Sequence, residues 1–143
     1  MFVKRSTFLL MTATLVILGG APGVSADDLT GADLLLCAPI EATRCTFEGC
    51  ETDLPEAWNI PQFIEIDLAT RRLQTTAASS EKRATPITTL VREDGHIVIQ
   101  GIEGGRAFSF FIHELSGELN AAIAATSSAT TVFAVCTPLP AVD

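Results

Sequence analysis

Residues 94–113 read DGHIVIQGIEGGRAFSFFIH, and two β-strands separated by a glycine turn account for this pattern. In the second half, Phe108 and Phe110 fall on one face and Phe111 on the other, with the period of two that is typical of a strand. Asp94-Gly95 precedes the first strand and is the strongest hairpin signal in the chain, because glycine readily accepts a positive φ.

On both sides of this stretch, the sequence shows alternating strand patterns and further turn signals. The turns are spaced about eight to twelve residues apart, which is typical of an all-β sandwich or barrel. No connection is long enough for a parallel crossover. The Ala-rich segment 119–125 would also suit a helix, but it is short and lacks a good cap. The predicted strands are 63–68, 73–76, 85–92, 96–102, 106–113, 118–125 and 130–137. The sequence therefore predicts an all-β fold, a small antiparallel meander that forms a barrel or sandwich.

Fewer regular patterns precede residue 62. Residues 27–33 form a short polar lead, residues 34–38 a small apolar run, and residues 39–61 a loop-rich segment. Within this segment, Leu54 to Asn59 is expected to form one helical turn, with Asp53 as its cap and Pro55 in the first turn. Trp58 is expected to plug an end of the barrel. Farther along, residues 77–84 are small and charged and are the best candidate for a mobile loop.

The first 26 residues are typical of a cleavable export signal. Lys4 and Arg5 provide the positive start, and an apolar run follows from Phe8 to Leu18. Small residues precede the predicted cleavage after Ala26. A retained anchor is the alternative, but the run is shorter than the roughly 20 apolar residues of a membrane span, and no Cys stands at its end to carry a lipid. We therefore expect a signal peptide over residues 1–26, a single β domain over 27–143, a periplasmic or secreted location and no stable membrane insertion after cleavage.

Four cysteines lie in the mature part and predict two disulfides. Three connectivities are possible. The favoured one joins Cys45 to Cys50 as a local clasp and Cys37 to Cys136 across the two ends, because closing the long loop removes unfolded-state entropy worth on the order of 4 kcal/mol. A zinc site is the alternative, but the sequence has no C-x-x-C pair and neither His lies near a Cys.

The mature chain is strongly acidic. The signal holds two of the nine basic residues and none of the seventeen acidic ones, so its removal changes the net charge from −8 to −10. Such a surface repels nucleic acid and anionic lipid head groups. Solubility is the favoured explanation of the charge, and a basic partner is the alternative. Nucleic acid is not expected as a partner.

Catalytic motifs do not emerge from the sequence. His113-Glu114 begins like the zinc motif H-E-x-x-H, but Gly117 occupies the second His position. His96 and His113 lie on neighbouring predicted strands and could face each other, with Glu93 or Glu114 orienting one of them. The favoured interpretation is two solvent-facing strand histidines, so catalytic residues are not predicted.

Cofactor and metal residues are not predicted either. Glu65 and Asp67 would share one strand face, where two carboxylates could bind a cation or protonate a substrate, but a solvated face is the favoured explanation. No EF-hand loop is present, and the GIEGGR run at 101–106 lacks the ending of a phosphate loop. For Phe108, Phe110 and Phe111, core positions are favoured; on a sheet with one open face, Phe111 could instead line a ligand pocket.

The cysteines at 37, 45 and 50, the run DGHIVIQGIEGGRAFSFFI and the terminal TTVFAVCTP together resemble a group of small exported bacterial proteins that carry no assigned function. The resemblance covers about Cys37 to Pro138 and implies a bacterial envelope setting. The chain is more loosely similar to the β-barrel lysozyme inhibitors of bacterial envelopes, which also have a signal, cysteines and a meander. It lacks the Ser-Ala-Ser-Gly-type loop that those inhibitors insert into an active site.

The expected function is therefore a non-catalytic binding or inhibitor-like domain of the bacterial envelope, with a protein or a small ligand as its partner. Self-association as a structural envelope component is the alternative. A small hydrolase that uses His96 or His113 is the third hypothesis.

Overall fold

The computed structural model describes residues 27–140, which form one antiparallel sheet and a single 3₁₀ turn at Pro55–Trp58. The predicted signal peptide, residues 1–26, lies outside the described residues. The strands are β1 (Leu34–Thr46), β2 (Gly49–Asp53), β3 (Ile64–Asp67), β4 (Arg72–Thr75), β5 (Ala84–Pro86), β6 (Thr89–Glu93), β7 (His96–Glu103), β8 (Arg106–His113), β9 (Glu118–Ala125) and β10 (Ser128–Pro138). Within residues 27–140, no helix is long and apolar enough to span a membrane.

The sheet is curled into a half-barrel, with strand order β5-β4-β3-β1-β10-β9-β8-β7-β6 and with β2 paired to β1. Its two edge strands, β5 and β6, are consecutive in the chain. Between them, the Ile87 N–H donates to the Arg71 carbonyl beside β4, and the Thr88 N–H donates to the Gln100 carbonyl in β7. The chain thus passes from one edge of the curled sheet to the other at this corner. The predicted all-β antiparallel fold is confirmed.

Alternation along the strands gives the half-barrel an apolar inner face. Phe108 and Phe110 are buried there, whereas Phe111 points to the outer face and is 46% exposed. The favoured core position is therefore wrong for Phe111, because only one face of this sheet is covered. The ambiguous Ala-rich segment is strand, within β9, because it pairs on both sides, with β8 and β10.

Two predictions for the first half of the chain are wrong, and one buried side chain there was not predicted. The loop-rich segment 39–61 contains the rest of β1 and all of β2; the strand continues past Pro39 because the register shifts between Pro39 and Glu41. The polar lead 27–33 contains Leu29, which is fully buried. Asp53 does not cap the 3₁₀ turn, because its carboxylate accepts from the adjacent Leu54 N–H instead.

The predicted strand 85–92 is also wrong as a single element. It divides into β5 and β6 because the two residues between them bond to opposite edges of the sheet. Of the predicted mobile loop 77–84, residues 77–83 lie outside the strands and Ala84 begins β5.

Both favoured disulfides are present. Cys37 pairs with Cys136, 99 residues away, and Cys45 pairs with Cys50. The first bond joins directly opposed residues of β1 and β10, and the second closes the β1–β2 hairpin. In the chain-entropy model, loops of these lengths correspond to about 4.7 and about 2 kcal/mol of stabilisation. The long-range bond therefore fastens the first strand of the sheet to the last.

Candidate ligand-binding cavity

Ile60 enters the inner side of the half-barrel from a segment that is not part of the sheet. Pro55 begins the 3₁₀ turn, as its fixed φ favours, and Asn59 ends it in the left-handed conformation at φ 59°. The Ile60 N–H then donates back to the Pro55 carbonyl at 3.1 Å. This reversal places the Ile60 side chain in the core, where it is 7% exposed.

A cavity of about 80 Å³, here called the apolar cavity, lies beside Ile60. Its apolar wall consists of Ile60, Pro61, Ile64, Leu73, Phe108, Phe110 and Ile123. Gly101 shapes this wall, because a Cβ at that position would collide with the Phe108 ring. Polar groups surround the rest of the cavity, namely Asn59, Gln74, Thr75, Arg83, Thr85, Glu103 and Arg106.

A second cavity of about 120 Å³, here called the arginine cavity, adjoins the first. It is lined by Arg44, Trp58, Ile60, Arg106, Ile123, Ala125, Ser128 and Thr130. The two cavities share Ile60, Arg106 and Ile123. They thus form neighbouring compartments around one apolar side chain.

Strand register explains why these residues meet. Arg44 of β1 lies opposite Thr130 of β10, which lies opposite Ile123 of β9, which lies opposite Phe108 of β8. Side chains directly opposite each other in neighbouring strands share a face of the sheet. This row runs across the inner face, so residues far apart in the sequence line adjoining spaces.

An ion pair stands at the rim of the apolar cavity. Arg83 donates to Glu103 through two bonds, Nε to Oε1 at 3.0 Å and Nη2 to Oε2 at 2.7 Å. The hydrogen bond from Arg83 lowers the pKa of the Glu103 carboxyl, and the same bond raises the pKa of Arg83. Arg83 Nη1 also donates to the Asn59 carbonyl at 3.1 Å. The pair therefore fastens the segment that carries Ile60.

Trp58 lies half-buried between the 3₁₀ turn and the arginine cavity. The Arg44 guanidinium stands over its ring, 5.3 Å from the centroid, within the range of a cation–π contact. The buried Nε1 has no hydrogen-bond partner among the described residues. Trp58 packs against the core from outside, as the predicted plug would, but Ile60 is the side chain that enters it.

The two histidines lie together on the outer face, away from both cavities. His96 and His113 are opposed in register, with ring centroids 5.2 Å apart, and Phe111 stacks on His96. His113 Nδ1 bonds with the Ser116 hydroxyl at 2.9 Å, and that hydroxyl bonds to Glu118 at 3.0 Å. In a serine nucleophile arrangement the imidazole stands between the hydroxyl and the carboxylate. Here the Ser116 hydroxyl lies between the imidazole and the carboxylate, and its two hydrogen bonds stabilise the β8–β9 turn.

Three of the acidic residues singled out by the sequence, Glu65, Asp67 and Glu114, have structural partners. Glu114 does not orient a histidine but pairs with Arg92. Glu65 accepts a bond from Gln74 at 2.9 Å, and Asp67 accepts one from the Thr70 N–H at 2.8 Å, which lowers the pKa of Asp67. In the described part of the chain, no group of three or more His, Cys, Asp or Glu residues could hold a metal ion.

Sequence reasoning singled out Trp58, Phe108 and Phe110 but missed three other residues that line the cavities. Arg44 and Arg106 carry no motif, and Ile60 stands in a segment that is predicted to be loop. A usable signal is present in β8, where Arg106 continues the inward-facing alternation of Phe108 and Phe110 and places a charge at the end of an apolar face. No family model, curated protein or solved structure matches the chain.

Proposed function

We propose that the mature protein is a non-catalytic binding domain of the bacterial envelope, periplasmic or secreted, which holds a small ligand in the apolar cavity. The observation that carries the proposal is this cavity beside Ile60, with a charged rim on the concave side of the sheet. Ligand sites in proteins are typically concave and mostly apolar, with a few polar groups that orient the ligand. The two disulfides support an oxidising compartment.

The size of the cavity indicates the size of the ligand. The apolar cavity is a space of about 80 Å³ that opens to solvent beside a core side chain. An engineered apolar cavity of about 150 Å³ in another protein takes up benzene. The apolar cavity and its neighbour therefore suit a ligand of about six carbon atoms.

The location of the histidines supports binding rather than catalysis. His96 and His113 lie on the outer face, whereas the cavities lie on the inner face. A bound molecule would meet apolar side chains, several polar side chains and the Arg83–Glu103 pair, whose members bond to each other, but neither of the two histidines.

Titration with 1-hexanol tests the proposal. We expect saturable shifts of the backbone amide NMR signals of Phe108, Phe110 and Ile123, together with a change in the fluorescence of Trp58, the single tryptophan of the chain. Replacing Ile60 with Phe should weaken binding at least tenfold, because the larger ring would extend into the space beside it.

The matched control is the same substitution at Ile40, which is 55% exposed on β1. The I40F variant should bind 1-hexanol as the unaltered protein does. Linear, non-saturating shifts in the unaltered protein would refute the proposed site, and so would equal binding by I60F and I40F variants that are both folded.

A further inference from the structure

We propose that the ligand is an amphipathic organic anion whose carboxylate lies between Arg44 and Arg106 in the arginine cavity and whose apolar body fills the apolar cavity. This inference rests on the proposed binding function and names its ligand class. The two cavities share Ile60, Arg106 and Ile123, so a single short molecule can reach both.

The arginine cavity presents hydrogen-bond donors. Arg44, Arg106 and Trp58 can only donate through their side chains, and Ser128 and Thr130 add hydroxyl groups. Among the described residues that line it, none carries a carboxylate. A space with two guanidinium groups and no lining acid favours an anionic group over a cationic or neutral one.

Arg106 retains free donor capacity. Its Nη2 lies 3.6 Å from Glu103 Oε2, whereas Arg83 takes both oxygens of that carboxylate at 3.0 Å or less. No hydrogen bond joins the Arg106 side chain to another protein group in residues 27–140. A guanidinium has five N–H donors in a planar fork that matches a carboxylate. Arg106 is therefore the stronger candidate of the two for direct contact with the anion.

Arg44 is fixed in place by a contact that leaves its charge unneutralised. It stands over the Trp58 ring and forms no ion pair with a described residue. Glu51, its cross-strand neighbour on β2, is the nearest acid by register and lies at the exposed hairpin. The Trp58 Nε1 is buried without a partner among the described residues, which is unfavourable for a hydrogen-bond donor.

The distribution of charge over the chain also supports an anionic ligand. Removal of the signal leaves seven basic residues in a domain of net charge −10, and two of them, Arg44 and Arg106, line the arginine cavity, whereas Arg83 at the apolar cavity is paired with Glu103. Cations gathered at the mouth of a cleft raise the local concentration of anions even on a protein of opposite overall sign. The concave side is thus the place where this acidic protein attracts an anion.

Hexanoate and 1-hexanol form the matched pair of probes that tests the inference, because they share a six-carbon chain and differ in charge at pH 7. We expect hexanoate to bind the unaltered protein at least tenfold more tightly in NMR titrations that follow the amides of Ser128 and Thr130. Raising sodium chloride from 20 mM to 500 mM should weaken hexanoate binding severalfold and leave 1-hexanol unchanged. These comparisons use only the unaltered protein.

The variants R44Q and R106Q should each weaken hexanoate binding about tenfold without weakening 1-hexanol. Arg72, an exposed residue of β4 that lines neither cavity, provides the control R72Q, which should bind both probes normally. Equal affinity for the two probes in the unaltered protein would contradict the anion site, but it would still agree with ligand binding in the apolar cavity. Failure of both probes to bind would overturn the proposed function as well.

Discussion

Leu29 and Ile60 both enter the half-barrel from segments outside the sheet, and their surroundings differ. Leu29 precedes β1 and Ile60 follows the 3₁₀ turn; they are 0% and 7% exposed. Each is fastened by an arginine that bonds to a glutamate and to a main-chain carbonyl: Arg92 to that of Leu29, and Arg83 to that of Asn59. Ile60 borders both cavities, whereas Leu29 lines neither of them.

The two arginine–glutamate pairs also differ in exposure: the glutamate at the Leu29 end is more buried than the glutamate at the Ile60 end. Glu114, the partner of Arg92, is 8% exposed as a residue, and Arg92 also donates to the carbonyls of Leu29 and Ala32 at 3.1 Å. The Glu103 side chain is 31% exposed and meets solvent at the cavity rim. One attachment therefore seals an end of the half-barrel, and the other frames an opening. We infer that the Leu29 end provides stability and the Ile60 end provides the binding site.

Shortening Leu29 to Ala should produce the largest effect. The free energy of unfolding is expected to fall by about 3 kcal/mol, because a fully buried leucine loses its packing and leaves a void. I60A should cost less, about 2 kcal/mol, because Ile60 already borders empty space and loses fewer contacts. Chemical denaturation measures both losses.

Leu115, a leucine that is 65% exposed, provides the control for this pair. L115A should change the stability by no more than about 0.5 kcal/mol. If I60A destabilised the protein as much as L29A does, the two ends would be equally packed and the contrast between them would be wrong.

Replacing Arg92 or Arg83 with Ala should lower the free energy of unfolding less than L29A does, and the two losses should again be unequal. R92A leaves the nearly buried Glu114 without its partner and frees two carbonyls, so we expect a loss of about 2 kcal/mol. R83A leaves Glu103 in contact with solvent and 3.6 Å from Arg106, so we expect a loss below about 1 kcal/mol. Thermal and denaturant unfolding measure the difference. A loss in R83A as large as that in R92A would contradict the assignment of the Arg92 end as the structural one.

Much of the fold could be predicted from the sequence, but the difference between the Leu29 end and the Ile60 end could not. Strands β7 to β10 could be predicted because each has one buried and one open face, and because glycines with positive φ mark the β7–β8 and β8–β9 turns. The cysteine pairing follows from loop length, and Cys37 and Cys136 are opposed in the sheet.

Leu29 and Ile60 could not be predicted as core residues for a physical reason. Each stands in a segment without periodicity, and its burial depends on a sheet that forms from distant strands. Arg44 and Arg106 likewise converge only through the register of β1, β10, β9 and β8. Local patterns predict faces of strands, but they do not show which loop folds over a face.

Acid titration should reveal the smallest difference between the two ends. The bond from Arg83 holds the pKa of Glu103 below its ordinary value, which is about 4.3 in unfolded chains. A carboxyl whose pKa is lowered by folding stabilises the protein above its unfolded pKa, and this contribution is lost as the pH falls through the lower, folded value. Because Glu103 is partly exposed, we expect the contribution to stay below about 1 kcal/mol.

The E103Q variant should therefore lose less stability than the unaltered protein between pH 6 and pH 2.5, as measured by denaturant unfolding at each pH. R83A should show the same weaker dependence of stability on pH. Parallel profiles for E103Q and the unaltered protein would mean that the Arg83–Glu103 pair does not hold the rim of the cavity in solution.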